Sequence, residues 1–496
     1  MPNSTVEKSK LVVRIETETI LSKLREFLLQ HNIESYLVGG FVRDSLLGRD
    51  NSDIDIAVGS DAVIIASEVA HVLGGRMVLL DEVHQTARVV LSRDEEHFHV
   101  DFSTMHGNIE EDLRIRDFTV NAISFSLAET EEGWPTVHMI DPLGGYHDLG
   151  RKLIRAVNKA SFQQDPARLL RAVRFAAELA FDIDPATEEL ISRDHSLLAT
   201  VAGERLRDEF CYILETSKAY SSLRCLDRLS LLTSLLPELE DMKEVVQPKE
   251  HFWDVFNHTL QTVAAVERLF REETSEDEIL APVPWSPDIA HHFTQEISKG
   301  RTRKALLKLA ALLHDIAKPI TKTIEQNGRM RFLGHPQEGV KIVGQIMERL
   351  RFANREIRIV QLMVENHLRP GQLANGEMPS HRAIYRYFRD TADASMDILF
   401  LSLADHLATR GPELNFANWC DHAKGTQYML FKWFEEKTVV EPPKLIDGHT
   451  LMDKFTLAPG PKLGEFLEAV REAQAEGEIS TAEEALDLVA RKLKRG

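Results

Sequence analysis

The chain predicts an α+β protein in which a head with a small mixed sheet precedes a long, mostly α-helical remainder. Three observations carry that expectation. Residues from about 11 to 150 alternate short apolar runs, such as Tyr36-Leu37-Val38 and Ile54-Asp55-Ile56, with helical stretches. From Gln164 onward the period changes: Leu169, Leu170, Val173, Ala176, Ala177 and Leu179 recur at spacings of three and four, and helical signals persist nearly to the end. A length of 496 residues exceeds what one core supports and suggests three or four domains. The expected divisions are a head over 1–150, a helical neck over 151–240, a further helical domain over 241–440 and a helical tail over 441–496. The acidic run 272–278, followed by Pro282, Pro284 and Pro287, reads as a surface loop or disordered insertion over about 272–298. Pro442-Pro443 marks the last boundary.

Composition narrows the class. With 43% hydrophobic and 28% charged residues the chain reads as soluble and globular. It has no long apolar run, and its first residues lack a signal peptide's apolar core, so no membrane partner is expected. Cys211, Cys225 and Cys420 have no metal-site spacing and suit a reducing cytoplasm. A net charge of −19 disfavours indiscriminate nucleic-acid binding but permits local basic tracks. Arg151, Lys152, Arg155, Lys159, Arg168, Arg171 and Arg174 form one, and Arg491, Lys492, Lys494 and Arg495 another; each could hold RNA backbone or simply be a solvated face. No motif indicates an oligomeric state.

The most informative segment is Ser52-Asp53-Ile54-Asp55-Ile56. Side chains two apart on a strand share a face, so Asp53 and Asp55 converge while Ile54 and Ile56 turn to the core. Paired carboxylates suit Mg²⁺, which completes its shell with water and phosphate oxygens, and point to two-metal phosphoryl or nucleotidyl transfer. An Asp-x-Asp alone is commonly a solvated edge or cap. Here it follows Gly39-Gly40, which sits between a strand and a helix predicted over 41–47, where backbone N–H groups and Arg43 can approach a triphosphate.

These elements resemble the nucleotidyltransferase superfamily of DNA polymerase beta. The later segments Arg114-Ile115-Arg116-Asp117-Phe118-Thr119-Val120-Asn121-Ala122, Asp141-Pro142-Leu143-Gly144-Gly145 and Asp165-Pro166-Ala167-Arg168-Leu169-Leu170-Arg171 narrow the resemblance. In this order they are similar to class II tRNA nucleotidyltransferases and bacterial poly(A) polymerases, over roughly residues 30 to 215. The resemblance implies that Asp53 and Asp55 are the catalytic metal pair, with Asp101 either a third carboxylate or an exposed strand residue. It implies that Arg116, Asp117 and Asn121 handle the sugar and phosphates, and that Asp165 and Arg168 read the base edge of CTP or ATP, with Arg171 and Arg174 beside them. Asp165-Pro166 is also an expected helix N-cap with Pro at N1, and one residue can serve both purposes. The family usually has Glu-Asp where this chain has Gln164-Asp165, which leaves the first position's role in doubt.

The helical half carries a second candidate set: His258, His314-Asp315 and Asp405. Isolated histidines in apolar helices are commonly core residues, but this order resembles the HD phosphohydrolase superfamily, with His335 and His367 extending it to the two-metal variety. Mixed imidazole and carboxylate ligands favour Mn²⁺, Ni²⁺, Co²⁺ or Fe²⁺, and Lys318 is either placed to meet a substrate phosphate or a surface lysine. The tail segments around Asp447-Gly448-His449 and Pro459-Gly460-Pro461 resemble the C-terminal region of HD-bearing relatives. Together the resemblances imply CCA, CC or A addition to tRNA 3′ ends, and an HD domain that hydrolyses phosphate or cyclic-phosphate ends. Poly(A) polymerase is the alternative, disfavoured because those enzymes usually lack an HD domain and carry a basic tail. A protein-modifying nucleotidyltransferase is more remote, since too few residues follow about 440 for its sensor domains.

Overall fold

The computed structural model describes residues 8–9, 14–81, 85–93, 96–129, 137–270, 277–373 and 378–494. Residues 82–84, residues 272–276 of the acidic run, and Arg495 lie outside them. Two compact units form: Met1–Val201 with Leu229–Leu231, and Ala202–Arg228 with Leu232–Gly496.

The first unit is built on a mixed sheet of eight strands: β1 (Lys8–Ser9), β2 (Ser35–Leu37), β3 (Asp53–Val58), β4 (Arg76–Asp81), β5 (Thr86–Arg93), β6 (Glu96–Thr104), β7 (Ser124–Ser126) and β8 (Val137–Ile140). Their order is β1-β8-β7-β2-β3-β6-β5-β4, and only β3 and β6 pair in parallel. Alternation explains the faces. Ile54 and Ile56 on β3, Ala87, Val89 and Leu91 on β5, and Phe98, Val100 and Phe102 on β6 are buried, so the residues between them face the other way. The helix Ala62–Leu73 packs beside these strands. Asp61 caps its N-terminus through the Val63 and Ile64 N–H groups, and Gly74 ends it in the left-handed conformation that glycine tolerates best.

The neck begins differently from the expected cap. Asp165 is extended and ends the short helix Ser161–Gln164; the next helix starts at Arg168 and runs to Leu179. The Asp165 carboxylate accepts from Ala167 N–H at 3.2 Å, while Leu169 and Leu170 N–H reach back only three residues. Asp165-Pro166-Ala167 is therefore a tight turn before the helix, and Arg168 is its first residue.

In the second unit the helices Val255–Leu269, Arg303–Leu313 and Ser395–Arg410 pack together, with His335–Arg349 against Asn354–Asn366. All of Ala305 to Leu313 is buried, so this helix runs through the core. The expected loop over 272–298 is corrected in part, because Pro287–Thr294 is a helix. Ser286 accepts from Ile289 N–H, Pro287 opens the first turn, and Ile289 and Phe293, four apart, are buried. Gly448–Phe455, Pro461–Ala475 and Ala482–Leu493 enclose a small core around Leu451, Val470 and Val489. Among the described residues no helix is long and apolar enough to cross a membrane.

Candidate functional site

The parallel pairing of β3 and β6 puts Asp55 opposite Asp101 and Asp53 opposite His99. Asp55 lies against the entrance to the helix Gly39–Leu46, where the Phe41 N–H donates to its Oδ2 at 3.2 Å. Gly39 has φ +67°, and a Cβ there would stand 3.0 Å from Asp55 Oδ2 and 3.4 Å from Arg116 Nη1. Both the backbone conformation and the close approach require glycine. Burial pushes the Asp55 carboxyl up to about 6, with Asp101 and Asp53 adding to it, although the Phe41 N–H and Arg116 pull it down. A half-buried acid crowded by two others fits a divalent cation, whose charge would remove that cost.

The other two acids already have partners. Arg88 binds both Asp101 oxygens at 2.7 Å, and His99 Nδ1 lies 2.7 Å from Asp53 Oδ1. Neither Arg88 nor His99 stands out as a site residue in the sequence. Their signal is strand alternation combined with the β3–β6 register, and a parallel register is not readable from a single chain.

A second network ties the neck helix to the head. Arg171 donates to Asp117 Oδ2 at 2.7 and 3.1 Å, Asn121 donates to Asp117 Oδ1 at 3.0 Å, and Arg43 donates to Asn121 Oδ1 at 2.9 Å. Arg43 also pairs with Asp44, and Arg116 with Asp112. Arg43, Arg171 and Arg174 stand 5.1, 5.1 and 4.5 Å from the Phe175 ring, so one aromatic gathers three predicted cations. Arg168 donates to the Ile115 carbonyl at 2.8 Å, the Arg116 carbonyl at 3.0 Å and Ser161 Oγ at 3.1 Å, and its Nε is 3.9 Å from Asp165. These bonds hold its guanidinium against the segment that carries Arg116 and Asp117.

Burial would raise the Asp117 carboxyl, but Arg171 and Asn121 outweigh it and hold it at about 2. A folded value below the unfolded one stabilises the fold above about pH 4, and that contribution is lost as pH falls toward 2. Asp117→Asn is therefore expected to cost on the order of 2 kcal/mol at pH 7. The deficit should close between pH 4 and 2, read from melting temperatures across that range; a deficit independent of pH would contradict the ion-pair origin.

In the second unit all six predicted residues meet. His258 Nε2 is 3.0 Å from Asp405 Oδ1, and Asp315 Oδ2 lies 3.5 and 3.3 Å from His258 and His314 Nε2. The other Asp315 oxygen lies 3.3 and 3.9 Å from His335 and His367 Nε2. Ring orientation tests whether a cation fits. His314, His335 and His367 each donate Nδ1–H to a backbone carbonyl, of Ala311, Phe332 and Val364, at 2.9, 2.7 and 2.7 Å. In the neutral rings Nε2 then carries a lone pair. His335 and His367 Nε2 are 3.4 Å apart, too close for two lone pairs with nothing between them and well suited to ligands sharing a cation. Burial also pushes the His367 imidazole down to about 3, which keeps it neutral.

The sets His258, His314, Asp405 and His314, Asp315, His367 each bring ligand atoms within 4.8 Å of one another, so these residues would hold divalent ions. Lys318 Nζ bonds Asp315 at 2.6 Å and Gln247 Oε1 at 2.7 Å, which engages the charge expected to meet substrate. Gln247, and His251 with its ring 5.6 Å from His258, escaped sequence reading because they precede the first recognisable ligand.

A paired-acid nucleotidyltransferase head followed by an HD-type centre defines the class. Comparison with known proteins is consistent throughout. Residues 35–155 match the family described as Poly A polymerase head domain, 180–243 a probable RNA and SrmB-binding site of polymerase A, 255–410 the HD domain and 423–490 tRNA nucleotidyltransferase domain 2. The A-adding tRNA nucleotidyltransferase of Deinococcus radiodurans is 32% identical over 92% of this chain and 94% of its own length. The CC-adding tRNA nucleotidyltransferase of Thermus thermophilus is also 32% identical, over 91% and 92%. Among solved structures, a Thermotoga maritima CCA-adding enzyme complexed with tRNA matches at TM-score 0.61 and 22% identity, covering 97% of this chain and 96% of that one. A CCA-adding enzyme with CTP matches at TM-score 0.65 and 23% identity, over 97% and 96%; both show the shared fold. The chain belongs to the tRNA nucleotidyltransferase family. It is an enzyme, and the family implies use of a divalent metal.

Proposed function

We propose that this chain adds nucleotides of the CCA sequence to tRNA 3′ ends, taking CTP and ATP as donors. The observation that carries this is the head site, where Asp55 faces Gly39, Gly40 and Arg116 and Asp53 lies two residues away on the same strand, with the Asp165 to Arg174 segment bound to the same head. The relatives named above that match nine-tenths of the chain are A-adding and CC-adding enzymes, which favours partial addition over the whole triplet and disfavours poly(A) synthesis. A tRNA substrate implies a cytoplasmic location.

Asp53 and Asp55 would hold Mg²⁺, which when bound lowers the pKa of the RNA 3′ hydroxyl and neutralises the triphosphate. The Phe41 N–H and His99 hold the two carboxylates in place. Asp101 orients Arg88, whose charge offsets the acid cluster. Gly39 and Gly40 let Asp55 sit close to the helix entrance, whose backbone would meet the triphosphate, and Arg116 would supply positive charge beside it. Asp117 and Asn121 fix Arg43 and Arg171, so the pocket that receives the sugar is rigid before the nucleotide arrives. Asp165 and Arg168 supply an acceptor and donors to the base edge in place of a nucleic-acid template. The domains follow as a head to about 150, a neck to 240, an HD domain to 440 and a tail. In the HD domain His258, His314, Asp315, His335, His367 and Asp405 would hold Mn²⁺, Ni²⁺, Co²⁺ or Fe²⁺ for hydrolysis of phosphate or cyclic-phosphate ends.

The test supplies tRNAs ending at the discriminator base, at C or at CC with CTP and ATP, separately and together, and sequences the products. Addition of CC alone or of A alone is expected. Long A tails would favour a poly(A) polymerase, and no defined addition would overturn the reading. Arg168→Ala should erode the preference for CTP or ATP over UTP by about tenfold, the worth of one to two base-edge hydrogen bonds. An unchanged preference removes Arg168 from base reading.

A further inference from the structure

The HD centre opens into a cavity of ≈ 280 Å³ whose inner wall carries Asp315, His335, His367 and Asp405. Its outer wall comes from a two-stranded hairpin, Lys322–Ile324 paired antiparallel with Met330–Phe332, and from the segment that follows it. This hairpin combines two features unusual for a chain of net charge −19. The first is cationic. Arg329 and Arg331 both line the cavity; Arg331 is paired with Glu325, whereas the Arg329 side chain forms no hydrogen bond or ion pair among the described residues. Lys318 lines the cavity too, but Asp315 and Gln247 engage it, which leaves Arg329 as the free cation of that wall.

The second feature is apolar. Leu333 is 70% and Leu368 38% exposed at the cavity, and Ile320 just before the hairpin and Ile324 within it are 65% and 67% exposed. Large aliphatic side chains this exposed, next to a free guanidinium and buried metal ligands, match a ligand with an anionic backbone and a flat apolar face.

We infer that the hairpin Lys322–Phe332 is the substrate-selecting element of the HD centre, with Arg329 binding the phosphodiester next to the phosphate under attack, so that the site takes the last nucleotides of an RNA strand in preference to a mononucleotide. This rests on the hydrolase reading of the HD centre. In the reaction a water oxygen attacks the terminal phosphorus, one bond from phosphorus to a ribose oxygen breaks, and that oxygen takes up the water's proton. A mononucleotide presents the same terminal phosphate but has no second phosphate for Arg329. The apolar rim receives the base of the neighbouring nucleotide.

The test uses the full chain loaded with Mn²⁺ and two substrates: a short unpaired RNA ending in a 2′,3′-cyclic phosphate, and the matching cyclic mononucleotide. Wild type should favour the RNA by tenfold or more in kcat/KM. Arg329→Ala should abolish that preference, chiefly by raising KM for the RNA, and leave the mononucleotide rate within about twofold. Arg329→Lys should restore part of it, because a point charge retains the phosphate but loses the bidentate geometry. An unaltered melting temperature, expected at this exposed position, confirms that the variant is folded. A preference for RNA that survives Arg329→Ala, or equal losses on both substrates, overturns the inference and leaves the hydrolase reading standing. A wild type inert on both substrates overturns the hydrolase reading and this inference with it.

Discussion

Asp55→Ala is expected to lower nucleotide addition by at least about 10³-fold, equivalent to ~4 kcal/mol of lost transition-state stabilisation. Asp55 is the less exposed member of the pair, it receives the Phe41 N–H from the helix entrance, and its oxygen occupies the space that Gly39 leaves open. Asp53 is more exposed and shares an oxygen with His99, so Asp53→Ala should be severe as well. Stability separates a functional acid from a structural one. Burial with two neighbouring acids makes the ionised Asp55 unfavourable in the folded chain, so Asp55→Asn should hold or raise the melting temperature in chelator while activity disappears. HD hydrolysis should survive both substitutions, because the two centres draw on different residues in different units. Single-turnover extension by a folded variant within tenfold of wild type would remove Asp55 from catalysis.

The parts of this arrangement that were legible in the sequence are those written locally. The spacing of Asp53 and Asp55 put both on one strand face, and the glycine pair before them marked the close approach that Gly39 makes. The six HD residues meet as their order suggested. Contacts between distant segments were not legible. Arg88 and His99 become partners of the acid pair only through the order β3-β6-β5, and Phe175 gathers Arg43, Arg171 and Arg174 only once the neck helix is laid against the head. Local sequence rules also misplaced two elements for identifiable reasons. At Asp165 a preceding short helix claims the residue first, and at 287–294 a well-capped amphipathic helix lies within a stretch whose acidic and proline content suggested a loop.

Asp315→Ala should have the complementary effect, removing HD hydrolysis by about 10³-fold or more and emptying the centre of metal, while nucleotide addition stays within about twofold of wild type. Both Asp315 oxygens are committed, one toward His258 and His314 and the other toward His335 and His367, so no single histidine is as central. Loss of the carboxylate also strands Lys318, whose Nζ is buried 2.6 Å from it. Breaking such a pair costs about 3–5 kcal/mol, so a fall in melting temperature is expected alongside the lost activity. Asp315→Asn keeps the volume and should soften that fall without restoring metal, because an amide brings no negative charge to balance a divalent ion. Metal content of the purified variants, measured by mass spectrometry, decides between the roles. Full occupancy in a folded Asp315→Asn protein would mean that the histidines and Asp405 suffice, and that Asp315 serves mainly to neutralise Lys318.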